Sequence, residues 1–229
     1  MPSIEYWGHK IYASMRIEKI GLKMSDLPEW GFCAMENISM TPHEGTHLDA
    51  PWHYCPLSEG KPAKTIDLIP LEWCFSNAVV LDFHHFERER PILVKDLEEA
   101  LHKISYELKP FDIVLIRTDA TKHWMEEGYQ NFAAGMTAES TLWLIEHGIK
   151  IMGIDSWTWD QPFDVMLRNK RSNFLEAHFI GDKREYCHLE NLANLDKIPQ
   201  PFVFKVAAFP IKIEGASGGW TRAVAILED

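Results

Sequence analysis

The sequence is short of cysteine, of basic residues and of long apolar runs, and each shortage excludes something. Cys33, Cys55, Cys74 and Cys187 are the only cysteines in 229 residues, and no two form a C-x-x-C pair. So few cannot staple a chain this long, which argues against a disulfide scaffold and for reduced thiols in a cytoplasmic setting. Lys and Arg total 23 against 34 Asp and Glu, a net charge of −11. Nucleic acid and anionic membranes both demand concentrated positive charge, so neither is an expected partner. No uncharged apolar run reaches the ~18 residues of a membrane span. Met1 to Lys10 carries Glu5, Trp7 and His9 and has no apolar core of a secretory signal. Repeats, low-complexity tracts and Gly/Ser linkers are also missing, which predicts one domain over residues 1–229.

What remains is an ordinary globular balance, with 46% hydrophobic and 25% charged residues. Ala78 to Leu81, Ile113 to Ile116 and Ile149 to Ile154 read as buried strands. Val94, Leu97, Leu101 and Ile104 recur at helical spacing, and Pro110 closes that segment. Thr137 is placed to cap a helix through Leu142 and Ile145, with Gly148 near its end. Strands alternating with helices imply a parallel sheet with right-handed crossovers. Met35 to Met40 and Phe202 to Ile213 are strand-like without long helices between them. The expected architecture is α/β, with a parallel central sheet, helices on one face and a second, more antiparallel sheet on the other. Gly215, Gly218 and Gly219 lack the lysine and spacing of a phosphate loop and read as a turn.

Eleven histidines are the unusual feature, and their spacing matters more than their number. The run His43-Glu44-Gly45-Thr46-His47-Leu48-Asp49-Ala50-Pro51-Trp52-His53 places ligand or proton-transfer side chains at 43, 47, 49 and 53. On an extended chain, residues of equal parity share a face, so all four can enter one pocket. Gly45 and Pro51 disfavour a helix there, and a side chain at 45 would crowd a bound ion. Imidazoles with a carboxylate suit Zn²⁺ or Mn²⁺ with positions left for water. A helix N-cap is the competing role for Asp49.

This run resembles the signature H-x-G-T-H-x-D-x-P-x-H of the metal-dependent cyclase-like hydrolases, the family of bacterial kynurenine formamidase and isatin hydrolase. Every fixed position is matched. Phe111 to Thr118 is similar to the family's strand with its trailing Arg-Thr. Gly153-Ile154-Asp155, followed by Asp160, is similar to its G-I-D-x-x-S-x-D element, with Thr158 in place of Ser. His178 and Glu190, followed by Asn191-Leu192-Ala193-Asn194-Leu195, resemble its H…E-N-L-x-N-L segment. The family pattern is altered within Ile11 to Trp30, and Gly218-Gly219-Trp220-Thr221-Arg222-Ala223 keeps Arg222 without the usual Ser-Pro.

The resemblance implies a three-layer β/β/α swivelling-type domain. It implies one ion held by His43, His47 and Asp49, and a second held by His178 and Glu190 with Asp49 bridging. It implies hydrolysis of a C–N bond (an amide, lactam or N-formyl group) in a small aromatic or cyclic molecule by metal-activated water. His53 has the position of the catalytic imidazole, with an outer partner of a ligand as its plainer role. Glu190 can serve as ligand and base. Thr46 and Asp155 are supporting candidates, and Trp52 is a candidate for substrate contact beside Trp157 and Trp159. A homo-oligomer, dimer or tetramer, is also implied. The competing readings are a metal-binding relative without turnover and an intramolecular cyclase or lactonase. No G-x-S-x-G elbow supports a serine nucleophile. His84 and His85 look like a second metal pair, but neighbours on a strand would point apart, and the pair reads as a solvated turn before Glu87-Arg88-Glu89-Arg90. His9 and His188 have no assignment from the sequence.

Overall fold

The alternation of apolar runs with amphipathic segments becomes a strand–helix–strand succession in the computed structural model, which describes residues 2–168 and 174–227. Chain contacts divide it into two compact units, Met1–Glu44 and Gly45–Asp229. In the first, strand β1 (Ser3–Trp7) leads into helix α1 (His9–Arg16) and pairs antiparallel with β2 (Met35–Ser39), Ser3 opposite Ser39. The altered stretch from Ile11 to Trp30 holds most of α1 followed by short 3₁₀ turns.

The second unit opens with β3 (His47–Asp49), the one-turn helix α2 (Pro51–Tyr54) and the small hairpin β4 (Leu57–Ser58) and β5 (Lys61–Pro62). Then follow β6 (Phe75–Asp82), α3 (Val94–Ile104), β7 (Ile113–Arg117), α4 (Ala138–Glu146) and β8 (Ile151–Ile154). Short helices α5 (Phe163–Arg168) and α6 (Glu176–Phe179) precede β9 (Cys187–Glu190), β10 (Phe204–Ala207), β11 (Gly218–Trp220) and β12 (Val224–Leu227). One eight-stranded sheet runs in the order β11-β3-β9-β8-β7-β6-β10-β12. Its centre, β6 to β9, is parallel, while β3, β10, β11 and β12 pair antiparallel at the flanks. The antiparallel strands expected in a second layer thus continue the parallel centre within the same hydrogen-bonded sheet.

Period-two alternation decides what each face buries. Val79, Leu81, Val114, Ile116, Met152 and Ile154 pack with Leu97 and Leu101 of α3 and Leu144 and Ile145 of α4. Ala78, Val80, Ile113, Leu115 and Ile151 face the other way, under Ile66, Ile69 and Trp73. Burying each such aliphatic side chain is worth roughly 1.5–3 kcal/mol, so both faces contribute heavily. Thr137 caps α4 as expected, its Oγ1 accepting the Ser140 N–H at 3.1 Å, a contact worth about 1 kcal/mol. Only Phe204–Ala207 of the stretch Phe202 to Ile213 forms a strand. Gly218 and Gly219 lie not in a turn but in β11, which pairs with β3 along Gly218–Asp49 and Trp220–His47.

Candidate metal centre

Strands β3 and β9 run antiparallel, with His47 opposite Glu190 and Asp49 opposite His188. Leu48, Cys187 and Leu189 point into the apolar face. Alternation then sends His47, Asp49, His188 and Glu190 to the opposite face, the one that carries α3 and α4. All four are buried. The β3 half of this arrangement is what equal parity predicts.

His53 arrives by a different route. The chain leaves its extended form after Asp49, and Pro51 stands at the first position of α2, where its missing N–H costs nothing. Asp49 and His53 are therefore one helical turn apart in sequence, with His53 Nε2 3.7 Å from Asp49 Oδ2. The N-cap of α2 is Ala50, so Asp49 has no capping role. Gly45 is required for its backbone, at φ +69°. A Cβ there would meet no protein atom within 4 Å, so no protein neighbour adds to that requirement.

The imidazole Nε2 atoms converge on two carboxylates. His47 Nε2 lies 3.1 Å from Asp49 Oδ1 and 3.7 Å from Glu190 Oε2. His178, from α6, lies 3.7 Å from Asp49 Oδ2 and 3.7 Å from Glu190 Oε1. His188 Nε2 lies 3.2 Å from each of those same two oxygens. The other ring nitrogen of each histidine has its own partner. His47 Nδ1 donates to the Gly45 carbonyl at 2.9 Å, and His178 Nδ1 to Asp160 Oδ2 at 2.5 Å. His188 Nδ1 meets the Tyr54 hydroxyl at 3.1 Å. Asp160 also accepts the N–H groups of Ala177 and His178, which anchors α6. A Cβ on Gly135 would collide with the backbone of Asp160, so a glycine is needed for that approach.

This donor set fits a divalent cation. Buried carboxylates demand a positive neighbour, and imidazoles held by Nδ1 present Nε2 lone pairs, the usual arrangement around a metal. Asp49, His178, His188 and Glu190 each offer a ligand atom within 4.8 Å of the others. Without the ion, the same demand falls on protons. Burial works against a charged His188, but its hydrogen bonds to Asp49 and Glu190, and their charge, outweigh it and lift its pKa to about 9. The same balance of burial against Asp49 and Glu190 raises His47 above its ordinary value. Glu190 is held below the carboxylate range, because the hydrogen bond from His188 and the two nearby imidazoles overcome its burial.

The remaining candidates fall in different places. His43 lies in the turn that ends the first unit. Thr46 donates to the Asn191 carbonyl at 2.6 Å, tying β3 to the chain after β9. Asp155 serves the end of β7 instead, accepting from the Thr118 N–H and hydroxyl and from the Asp119 N–H. Burial, opposed by these hydrogen bonds, pushes its pKa up to about 6. Trp52 is exposed on α2, and Trp159 is fully buried, its indole N–H on Thr141. A cavity of ≈ 310 Å³ is lined by Gly45, Thr46, Thr121, Trp124, Asn191 and Ala193, so it adjoins chain neighbours of His47 and Glu190. His188 is the residue that sequence reasoning missed, although its parity with Glu190 on an alternating strand was a usable signal. Asp82, His84 and His85 cluster but are all exposed.

A family model described as "Putative cyclase" matches residues 3–161. Kynurenine formamidase of Bordetella avium (strain 197N) is 28% identical over 192 residues, 83% of this chain and 79% of that protein. Kynurenine formamidase of Bacillus cereus (strain ATCC 14579) is 29% identical over 196 residues, covering 86% and 81%. Among solved structures, isatin hydrolase A from Ralstonia solanacearum superposes with a TM-score of 0.76 at 26% identity, covering 99% of this chain and 82% of that one. A potential metal-dependent hydrolase with cyclase activity shares the fold over 100% of both chains, with a TM-score of 0.62 at 18% identity.

Proposed function

Because the chain belongs to the cyclase family of metal-dependent hydrolases, we propose that it cleaves a C–N bond (an amide, lactam or N-formyl group) in a small aromatic or cyclic molecule. The observation that carries this reading is the convergence of three Nδ1-anchored imidazoles on Asp49 and Glu190 in one buried cluster. A divalent ion bound there, zinc or manganese, supplies Lewis acidity and brings the pKa of coordinated water toward ~7.

His47 and Asp49, joined by His43 on the strength of the motif, are the proposed ligands of one ion. His178 and Glu190, with Asp49 shared, are the proposed ligands of a second. His53 is exposed where His47, Asp49, His178 and Glu190 are buried, which suits a group that must meet both substrate and solvent. Its role is to take a proton from the attacking water and return it to the leaving nitrogen. Glu190 accepts the Trp159 N–H at 2.8 Å, so its Oε1 is held in place and its Oε2 faces His47. A second proton-accepting role falls to Glu190. The cavity beside Thr46 and Asn191 has the size of a small-ligand pocket, and Trp124 at its wall offers a flat apolar surface for an aromatic ring. Trp52, beside His53, is the other candidate for ring contact.

No helix among the described residues is long and apolar enough to cross a membrane. Four free thiols support the proposal of a reducing, cytoplasmic setting. The edge strand β12 exposes Val224, Ile226 and Leu227, which supports assembly into a homo-oligomer.

The test joins metal analysis of the purified protein to turnover on N-formylkynurenine, isatin, simple lactones and imides. Bound metal with turnover of an amide is expected; bound metal with none on the whole panel favours a binding protein. His47→Ala is expected to lose its ion, and retained stoichiometric metal would overturn the assignment. His53→Ala is expected to keep metal and lose roughly 10²–10⁴ in rate, the usual worth of a general acid–base. An unchanged rate reduces His53 to a bystander.

A further inference from the structure

His188 is buried completely and contacts both carboxylates, yet the two-ion ligand set proposed above does not use it. Its ring lies between two aromatic faces, with Tyr54 at 5.1 Å and 23° and Trp159 at 5.7 Å and 16°. Its backbone N–H reaches the Tyr54 oxygen at 3.2 Å, and that hydroxyl turns its own proton toward the Asp49 carbonyl. His188 Nδ1 stands 3.1 Å from the same hydroxyl, and as donor to it would leave Nε2 to face the carboxylates. Its Nε2 then meets Asp49 Oδ2 and Glu190 Oε1 at 3.2 Å each, a position that a proton or a shared cation must fill.

The spacing is that of ligands. Four donors at 2.0–2.1 Å around one tetrahedral ion lie about 3.3 Å from one another. His188 Nε2 stands 3.2 Å from each carboxylate oxygen, and His178 Nε2 stands 3.7 Å from each of the same two. Asp49 divides its oxygens between the two positions, with Oδ1 toward His47 and Oδ2 toward His178 and His188.

We propose that His188 is a fourth protein ligand of the second ion, with Asp49, His178 and Glu190, so that protein groups alone complete its coordination. The inference rests on the metal-dependent reading above. A saturated tetrahedral set leaves no position for water, so exchange at the reacting end falls to the His47 position.

The test is retention of metal, not activity. Zinc-loaded protein dialysed against rising chelator is expected to release one ion early and hold the other. His188→Gln is expected to lose the resistant ion with at least a roughly tenfold fall in affinity. Circular dichroism of the variant checks that it folds. Wild-type protein carrying cobalt(II) only at the resistant position is expected to show the intense visible bands of a tetrahedral ion, a measurement that needs no variant. Equal chelator resistance in His188→Gln, or a weak six-coordinate cobalt spectrum, overturns the proposal while leaving a metal-loaded, active hydrolase in place. A wild type that takes one ion while His188→Gln takes two also overturns it, making His188 the occupant of the second position. No metal in either protein overturns the hydrolase reading itself.

Discussion

The two halves of the sheet use the same alternation for different ends. In the paired centres of β6, β7 and β8 (78–81, 113–116 and 151–154) both faces are apolar and lie between two cores. In β3 and β9 one face keeps Leu48, Cys187 and Leu189, while the other carries His47, Asp49, His188 and Glu190. The apolar half provides stiffness. The mixed half uses that stiffness to bury charge that could not be buried on a mobile loop. What separates a structural strand from a ligand-bearing one here is a single face.

Three substitutions sharpen that contrast. Leu189→Ala removes apolar volume directly behind the ligand face and should cost about 2–5 kcal/mol in denaturant unfolding. Metal stoichiometry should stay unchanged; loss of the ion would mean that the two faces are not separable. Asp160→Asn acts on the polar side alone. It weakens the acceptor that orients His178 and should lower metal affinity about 10–100-fold in titration calorimetry. An unchanged affinity would show that packing alone holds the imidazole.

The smallest effect is expected at the exposed end of the parallel half. Asp119 pairs with Arg117 at 2.7 Å and Lys122 at 2.6 Å, and these contacts hold its pKa down to about 2. A depressed carboxyl stabilises the fold above its ordinary pKa and loses that contribution as pH falls through about 2. Asp119→Asn should therefore cost about 1 kcal/mol or less at pH 7. Thermal melts of the two proteins should converge as pH approaches 2, and a gap that persists there would assign the effect to something other than the ion pairs.

The apolar half was legible in the sequence because a buried parallel strand announces itself as an unbroken run. The amphipathic spacing from Val94 to Ile104 marked α3 residue for residue. The motif from 43 to 53 was legible as chemistry but only partly as geometry. Parity holds for His47 and Asp49, whereas Pro51 starts a helix and brings His53 back by a turn. Parity with Glu190 sets His188 on the same face of β9, but parity alone does not tell a ligand from a core histidine. Its meaning depends on β3 lying beside β9, a pairing between residues far apart in the chain. Gly218 and Gly219 were misread for the same reason, since a strand without side chains has no pattern until its partner is known.

The short strand β3 is an interior strand only because β9 and β11 flank it, and both are drawn from residue 187 onward. A chain emerging from the ribosome therefore carries the His47–Asp49 segment long before it has anything to pair with. Ion capture must wait for contacts of very long sequence separation, the slow class of folding event. Metal loading should accordingly follow the pairing of β3 with β9, late in the folding of this chain.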